Sequence, residues 1–478
     1  MRTRLALFFA FGYLMLWTAA VQHDPFFWDT VQLGSKHAHF FYENGLRWQA
    51  LPADIDSGHP PVFGYYLALM WWLFGKTLPV SHWVMLPFLI GIAWLLFRLG
   101  ARLAGRSWAA WLIPVVLLDP VFAGQSVLVS PDIVLACFFL LALEGLFAGR
   151  QVLVLLGIAG LCAISMRGMM TAAALLAWQA IALWRPDHFF KPKTVTGVFF
   201  VPGFAFAAWF LWWHFSQTGW IGFHSGSPWA ASFEPVRGAA LLKNIAVIGW
   251  RWVDTGRIFE WLILGYLLLQ AKRKPQSGAL ILLLGCLALF LTPSALLYHN
   301  LSAKRYFLPF FLGLHLLALQ WIGASALPQA RKQVLFLILI FGLGTGNFWI
   351  YPTGISMDWD ATLASQPYHR LRREIVQYLD AEHISFQVVG SAFPNLNTGE
   401  NLCLNGDQRQ FSEKDFEQNT YVLASNIFND FSRQDFQELA SGWVLVKRAA
   451  HGGIWMELYR KYREPEPPAT GHYPTPEF

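Results

Sequence analysis

The sequence predicts a polytopic all-α membrane domain of about eleven transmembrane helices, followed by a small C-terminal α/β or α+β domain. Three observations predict it. The chain is 55% hydrophobic and only 13% charged, far below the roughly 25% charged residues of an ordinary soluble domain. Its apolar residues fall into separated blocks, each close to the ~20 residues a helix needs to cross a hydrocarbon core of about 30 Å. The texture then changes near residue 351, where polar residues and short mixed runs replace the apolar blocks.

Met1-Arg-Thr-Arg4 followed by an apolar run to about Val21 has the shape of a signal peptide. No convincing small-residue cleavage site precedes His23, and many spans follow, so an uncleaved first helix is expected, with its basic flank holding the N-terminus in the cytoplasm. The polar stretch at 22–61 is then extracytoplasmic. Val62 to Phe74 opens after Pro60-Pro61 and carries Tyr65, Tyr66, Trp71 and Trp72, the aromatic load of a helix lying at the membrane surface. With that segment interfacial, spans are expected at 83–104, 108–122, 132–148, 152–167, 169–184, 194–214, 257–271, 278–297, 306–323 and 333–350. The basic clusters at Arg98/Arg102/Arg106, Arg150, Arg185/Lys191/Lys193, Lys272-Arg-Lys274 and Arg331-Lys332 then all face the cytoplasm. The opposite choice puts every cluster outside. The C-terminal domain is expected outside, on the same side as the first loop, in a bacterial inner membrane protein.

The expected domains are 1–350 in the membrane, 351–463 soluble, and a proline-rich, disordered 464–478. In the soluble part Leu371, Ile375, Val376 and Leu379 share a helical face, and β-like runs follow at Phe386–Val389 and Tyr421–Leu423. Ser432 with Asp435 marks a helix start. Trp443–Val446 and Ile454–Leu458 flank His451-Gly-Gly453 as a hairpin.

The net charge of +6 does not imply nucleic acid, because the basic residues sit in short clusters that orient helices. Cys137, Cys162 and Cys286 lie in apolar blocks and Cys403 is alone in the tail, so the tail holds no internal disulfide. No phosphate-cradling glycine loop, dinucleotide motif or zinc-protease motif is present.

Candidate chemistry clusters on the outer side. The first loop holds Asp24, Asp29, Lys36, His37, His39, Glu43, Asp54, Asp56 and His59, ending in the rigid Gly58-His-Pro-Pro61 turn. Any water-facing loop is polar, so each acid alone also has a solvation reading. Asp132 in Val129-Ser-Pro-Asp132 opens a helix, where it serves either a site or the helix dipole. Arg167 in Met166-Arg-Gly-Met169 and the pair Lys304-Arg305 before Tyr306 place cations outside against the charge rule. They suit a phosphate, or anionic lipid headgroups. The aromatic segment from His214 to Gly256 suits a stacked sugar or an interfacial belt. Asp54, Asp56 and His59 are the candidate ligands for a divalent cation, though their spacing matches no metal signature.

Taken in order, Phe27-Trp-Asp-Thr30, Ser57-Gly-His-Pro-Pro-Val-Phe-Gly-Tyr65, Ser130-Pro-Asp132 and Lys304-Arg-Tyr-Phe-Leu-Pro309 resemble the GT-C class of membrane glycosyltransferases. The likeness is to its branch of protein O-mannosyltransferases and lipid A aminoarabinose transferases, and it covers about residues 1–350. It implies an enzyme that moves a sugar, with inversion, from a polyprenyl-phosphate donor to a glycan, lipid or protein acceptor at the outer face. It implies Asp29 as the catalytic carboxylate, Asp132 as a second outer acid, and Arg305 as the cation before the aromatic of the late motif. Asp56, His59, Arg167, Lys304 and Tyr306 are expected to bind substrate. Two departures stand out: Thr30 follows Asp29 where the family commonly has glutamate, and His59 stands where lysine is common. The alternative is a transporter or flippase of lipid-linked glycans, which should place polar groups at mid-bilayer; the spans look almost uncharged.

Overall fold

The computed structural model describes residues 2–184, 196–226, 230–270, 278–299, 301–352, 355 and 357–462. The expected disordered tail at 464–478, the loops at Arg185/Lys191/Lys193 and Lys272-Arg-Lys274, and Trp229 lie outside these residues. The chain divides into two compact units. One, helical, comprises Met1–Trp349 with Asp358–Ala364 and Glu400–Gly406; the other comprises Ile350–Met357, Ser365–Gly399 and Asp407–Phe478. Two short stretches beyond the expected boundary at 350 therefore group with the helices.

The helical unit runs α1 (Arg2–Val21), α2 (His37–Glu43), α3 (Val62–Phe74), α4 (Leu78–Trp83), α5 (Leu86–Ala104), α6 (Arg106–Leu118), α7 (Pro120–Ser126) and α8 (Pro131–Ala148). It continues through α9 (Gln151–Ile164), α10 (Met166–Trp184), α11 (Val201–Thr218), α12 (Ala239–Val253), α13 (Ile258–Gln270), α14 (Gly278–Leu297), α15 (Leu308–Ala324) and α16 (Gln329–Gly346). Over the described residues each block expected to span the membrane is mostly helical. Among the described residues, however, only six helical stretches are long and apolar enough to cross, or seven counting one bent pair, against the eleven expected. The four not counted are α1, whose apolar part is only Leu5–Val21, α9 with 14 residues, α13 with 13, about 20 Å of helix at 1.5 Å per residue, and α16, which opens on the polar run Gln329-Ala-Arg-Lys-Gln333.

The bent pair is α6 and α7, which meet at 68°. Pro120 causes it, because proline lacks the amide hydrogen and pushes the preceding residue out of helical geometry. Asp119 is accordingly extended, with φ −58° and ψ 125°, and its carboxylate accepts from Phe122 N at 3.0 Å to cap α7. The single span expected at 108–122 is thus two helices. A further helix, α12, lies within the aromatic segment from His214 to Gly256, where no helix is expected from the sequence. At the centre lie α8 and α15, whose spanning windows are 78% and 83% buried inside the protein. Their N-terminal ends position the charged residues described below.

The second unit carries α17 (Pro367–Ala381), and the remaining α-helices among the described residues are α18 (Gly399–Cys403) and α19 (Arg433–Gly442). Leu371, Ile375 and Leu379 on α17 are buried, as their spacing predicts. Ser432 and Asp435 cap α19 reciprocally. The strands β1 (Val389–Ser391), β2 (Ser412–Glu413), β3 (Tyr421–Ser425), β4 (Trp443–His451) and β5 (Ile454–Lys461) form one sheet in the order β2-β1-β3-β5-β4. β1 pairs in parallel with β2 and β3, whereas β3, β5 and β4 are antiparallel. The hairpin turns on Gly452 and Gly453, both at positive φ (58° and 83°), a conformation glycine adopts without a Cβ clash. The expected strand at Phe386–Val389 starts three residues late, after a single 3-10 turn over Phe386–Val388.

Candidate active site

The site is built where the first loop, α8, α10 and α15 converge. Asp29 sits in a tight turn: Thr30 Oγ1 donates to Phe27 O at 2.7 Å and accepts from Phe27 N at 3.0 Å, while Trp28 has a positive φ of 56°. Thr30 thus closes the turn that presents Asp29. On α8, Ser130 is the cap, accepting from Asp132 N at 3.1 Å, which leaves the Asp132 carboxylate available for other partners.

Those partners are two arginines. Asp132 Oδ1 accepts from Arg167 Nη1 at 2.8 Å, and its Oδ2 pairs with Arg305 Nη1 at 3.2 Å. Arg305 also pairs through Nη2 with Asp29 and through Nε with Asp360 at 2.9 Å. Its guanidinium is therefore enclosed by three carboxylates from three distant parts of the chain. The Tyr306 ring lies against both cations, 4.2 Å from the Arg167 guanidinium carbon and 4.9 Å from that of Arg305. Such contacts favour a cation over the ring face.

A cavity of about 130 Å³ opens beside this cluster. Asp29, His59, Arg167 and Tyr306 line its polar part, and Leu33, Met166, Met170 and Phe233 its apolar wall. Met166 N donates to His59 Nδ1 at 3.4 Å, which leaves the proton of the neutral ring on Nε2. Burial pushes the His59 imidazole down to about 3, and the neighbouring Arg167 acts in the same direction. At neutral pH His59 is thus an uncharged donor beside a cation and a carboxylate.

The remaining expected residues lie elsewhere. Asp56 accepts from Gly58 N at 2.8 Å and pairs with His214 Nε2 at 2.9 Å, so it fixes the end of the first loop and does not reach the cavity. Lys304 is fully buried, its ammonium 2.6 Å from Asp254 Oδ2 and its amide donating to Asp358 Oδ2 at 3.2 Å. Its neighbour Arg305 turns the other way. Among the described residues no group of three or more His, Cys, Asp or Glu side chains is arranged to hold a metal ion. Asp54, Asp56 and His59 accordingly do not converge.

Sequence reasoning missed two features. Asp358 and Asp360 come from the segment between α16 and α17, where no local pattern marks them as part of a site. The second is a buried set in the bundle itself, where Asp119 pairs with Arg257 at 2.6 Å and with His315 at 3.2 Å, and His315 Nδ1 reaches Glu260 at 3.0 Å. The spans are not as uncharged as they look: His315 and Glu260 are lone ionisable groups in apolar runs, which is the signal for such a set.

The fold is similar to that of ArnT from Cupriavidus metallidurans. The structure of that protein bound to undecaprenyl phosphate matches with a TM-score of 0.55 at 13% identity, over 96% of this chain and 98% of that one. Its apo state matches with a TM-score of 0.52 at 12% identity, over the same 96% and 98%. At such identities the likeness is one of fold. No protein-family model and no curated protein sequence matches the chain.

Proposed function

We propose that this chain, built on the fold of a protein that binds undecaprenyl phosphate, is an integral-membrane glycosyltransferase. It takes a sugar from a polyprenyl-phosphate donor and passes it to a hydroxyl of a cell-envelope acceptor at the extracytoplasmic face. The observation that carries this reading is the cavity in which Asp29, His59 and Arg167 face an apolar wall. A lipid-linked sugar phosphate needs both halves: an apolar wall for its tail and hydrogen-bond donors for its phosphate.

In this reading Arg167 and the Nε2–H of His59 hold the donor phosphate, with Tyr306 backing the arginine. Asp29 takes the proton of the acceptor hydroxyl as the oxygen attacks the anomeric carbon. The glycosidic C–O bond to phosphate breaks on the opposite side, so configuration inverts. The phosphate leaves as a monoester with added negative charge, which Arg167 stabilises in an enclosed site. Arg305 pairs with Asp29 and orients it, while Asp132 holds Arg305 and Arg167 at a fixed separation. Lys304 stands one layer behind, through Asp254 and Asp358.

Incubation of the purified protein with radiolabelled polyprenyl-phosphate sugars and envelope acceptors tests the reading. Transfer is expected, and Asp29→Asn is expected to lower kcat by a factor of at least ~100, the lower range for removal of a general base. No transfer to any acceptor, or full transfer by Asp29→Asn, overturns it. The buried Asp119–Arg257–His315–Glu260 set favours a second reading, a transporter of lipid-linked glycans. Reconstituted vesicles separate the two, because a transporter moves the intact lipid across the bilayer without cleaving it.

A further inference from the structure

Residues 358–364 return to the helical unit after its last helix, and the return is pinned at several points. Gln125 Nε2 on α7 donates to the Asp360 carbonyl at 2.6 Å. Gly124, one residue earlier, lies so close that a Cβ there would stand 2.5 Å from Thr362 N. Trp359 is 2% exposed, and the Asp358 carboxylate pairs with Arg251 Nε of α12 at 3.2 Å. This strap delivers one functional group to the site, the Asp360 carboxylate, which is buried and bound to Arg305 Nε.

Asp360 does not line the cavity, and the proposed chemistry does not use it. Its effect passes through Arg305. Nη1 donates to Asp132 and Nη2 to Asp29, while at Nε the Asp360 carboxylate adds an ion-pair contact at 2.9 Å without hydrogen-bond geometry. That charge contact on the third edge of the planar group holds the guanidinium in place between Asp132 and Asp29.

Charge counting gives Asp360 a second task. Asp29, Asp132 and Asp360 face Arg305 and Arg167, an excess of one negative charge in an enclosed space. A donor phosphate adds another. A proton on one carboxylate relieves the excess, and the three are not equivalent. Asp29 must stay ionised to act as a base, and Asp132 has two arginines. Asp360 has one cation partner and faces Asp29, Asp132 and Asp358. Around it, Tyr306 lies beside Arg305, Lys304 is paired to Asp254, and Arg251 is paired to Asp358. On α7 Gln125 faces it, with Asp119 turned to Arg257 and His315. Burial lifts the Asp360 carboxyl to about 7; Arg305 opposes the rise, and Asp29, Asp358 and Asp132 add to it.

We propose that Asp360 is a positioning residue of the site, locking the Arg305 guanidinium against Asp29, and that it takes up a proton from water when the donor phosphate binds. The inference rests on the reading of the site as one for a polyprenyl-phosphate donor. The full-length protein tests it through kcat/KM for the donor between pH 6 and about 9. The donor is a phosphate diester and does not itself titrate there. The wild type is expected to lose up to about tenfold in kcat/KM per pH unit above the Asp360 titration. Asp360→Asn keeps the size and shape of the side chain but cannot titrate, and is expected to lose this inflection. Asp360→Ala is expected to lower kcat at least about tenfold at every pH. An Asp360→Asn profile that superposes on the wild type overturns the proton role, and an unchanged kcat in Asp360→Ala overturns the positioning role.

If the wild type moves no sugar, the reading of the reaction fails by itself. Proton uptake on binding polyprenyl phosphate, measured by calorimetry in two buffers of different ionisation heat, then decides Asp360 without chemistry. Uptake that is smaller in Asp360→Asn supports the proposal, and equal uptake overturns it. If neither variant folds, the wild type is measured alone at about pH 8.5, where the phosphate monoester has lost its second proton. Absence of uptake there overturns it.

Discussion

Arg305 shows how much one side chain can organise. It is 5% exposed and pairs with carboxylates from the first loop, from α8 and from the strap. Burying that much charge is costly, and the arrangement holds only while each partner has its counter-charge. Arg305→Met leaves the acids facing one another and is expected to destabilise the protein by about 3–5 kcal/mol. Arg305→Lys keeps the charge but cannot reproduce the forked pair of hydrogen bonds to Asp132 and Asp29, so its unfolding temperature should lie between those of the wild type and Arg305→Met. Thermal unfolding in detergent measures the order, and an Arg305→Met protein as stable as the wild type would contradict it. The residues of this cluster were only partly legible in the sequence. Asp29, Asp132, Arg167 and Arg305 announce themselves as outer charges beside apolar blocks, against the charge rule or at a helix start. Asp360 carries no such mark, because nothing local distinguishes an acid that folds back into a bundle from one left in solvent. Lys304 misleads for the opposite reason: adjacent cations in one 3-10 turn point to different sides.

At the scale of elements, the bend between α6 and α7 and the strap depend on each other. Gly124 on the short helix α7 leaves the space that the strap occupies, and Gln125 holds it there. Gly124→Ala is expected to displace residues 358–364, lower kcat and leave the other helices intact. Retained activity together with unaltered protection of residues 358–364 in hydrogen exchange would count against this. The second returning stretch, Glu400–Gly406, has its own anchor. Burial pushes the Glu400 carboxyl up, but Lys76, the Gly406 amide and His39 outweigh it and hold it at about 2. The sign follows from linkage: a depressed carboxyl contributes stability above its unfolded value, and that contribution is lost as pH falls toward 2. Lowering the pH from 6 to 3 should thus lower the unfolding temperature of the wild type more than that of Glu400→Gln. Equal shifts would show that the anchor contributes nothing. Helix-forming blocks were readable from apolar periodicity, whereas the bend was readable only as a proline. α12 escaped notice because its tryptophans and basic residues read equally well as a loop at the membrane surface.

For the whole molecule, the fold class was legible from composition and block length alone, since few architectures accommodate so many apolar stretches of span length. The sides were assigned by charge, and they are open to direct test. In a cysteine-free background, Arg150→Cys and Gln408→Cys, both at exposed positions, are expected to label from opposite faces of the membrane. Labelling from the same face would invert the proposed orientation of one of them. The strap also has a consequence for how the protein is made. Its helices enter the membrane as they leave the ribosome, but Arg305 and Asp29 are 276 residues apart, and Asp360 is translated after every helix of the bundle. Through most of synthesis, a buried guanidinium and its carboxylates wait for the last member of the set. Quality control that senses exposed charge within the bilayer would therefore see an unfinished molecule until the chain beyond residue 360 emerges. A chain stopped at residue 350 should insert normally and yet be degraded quickly, as a pulse-chase measurement of its lifetime would show.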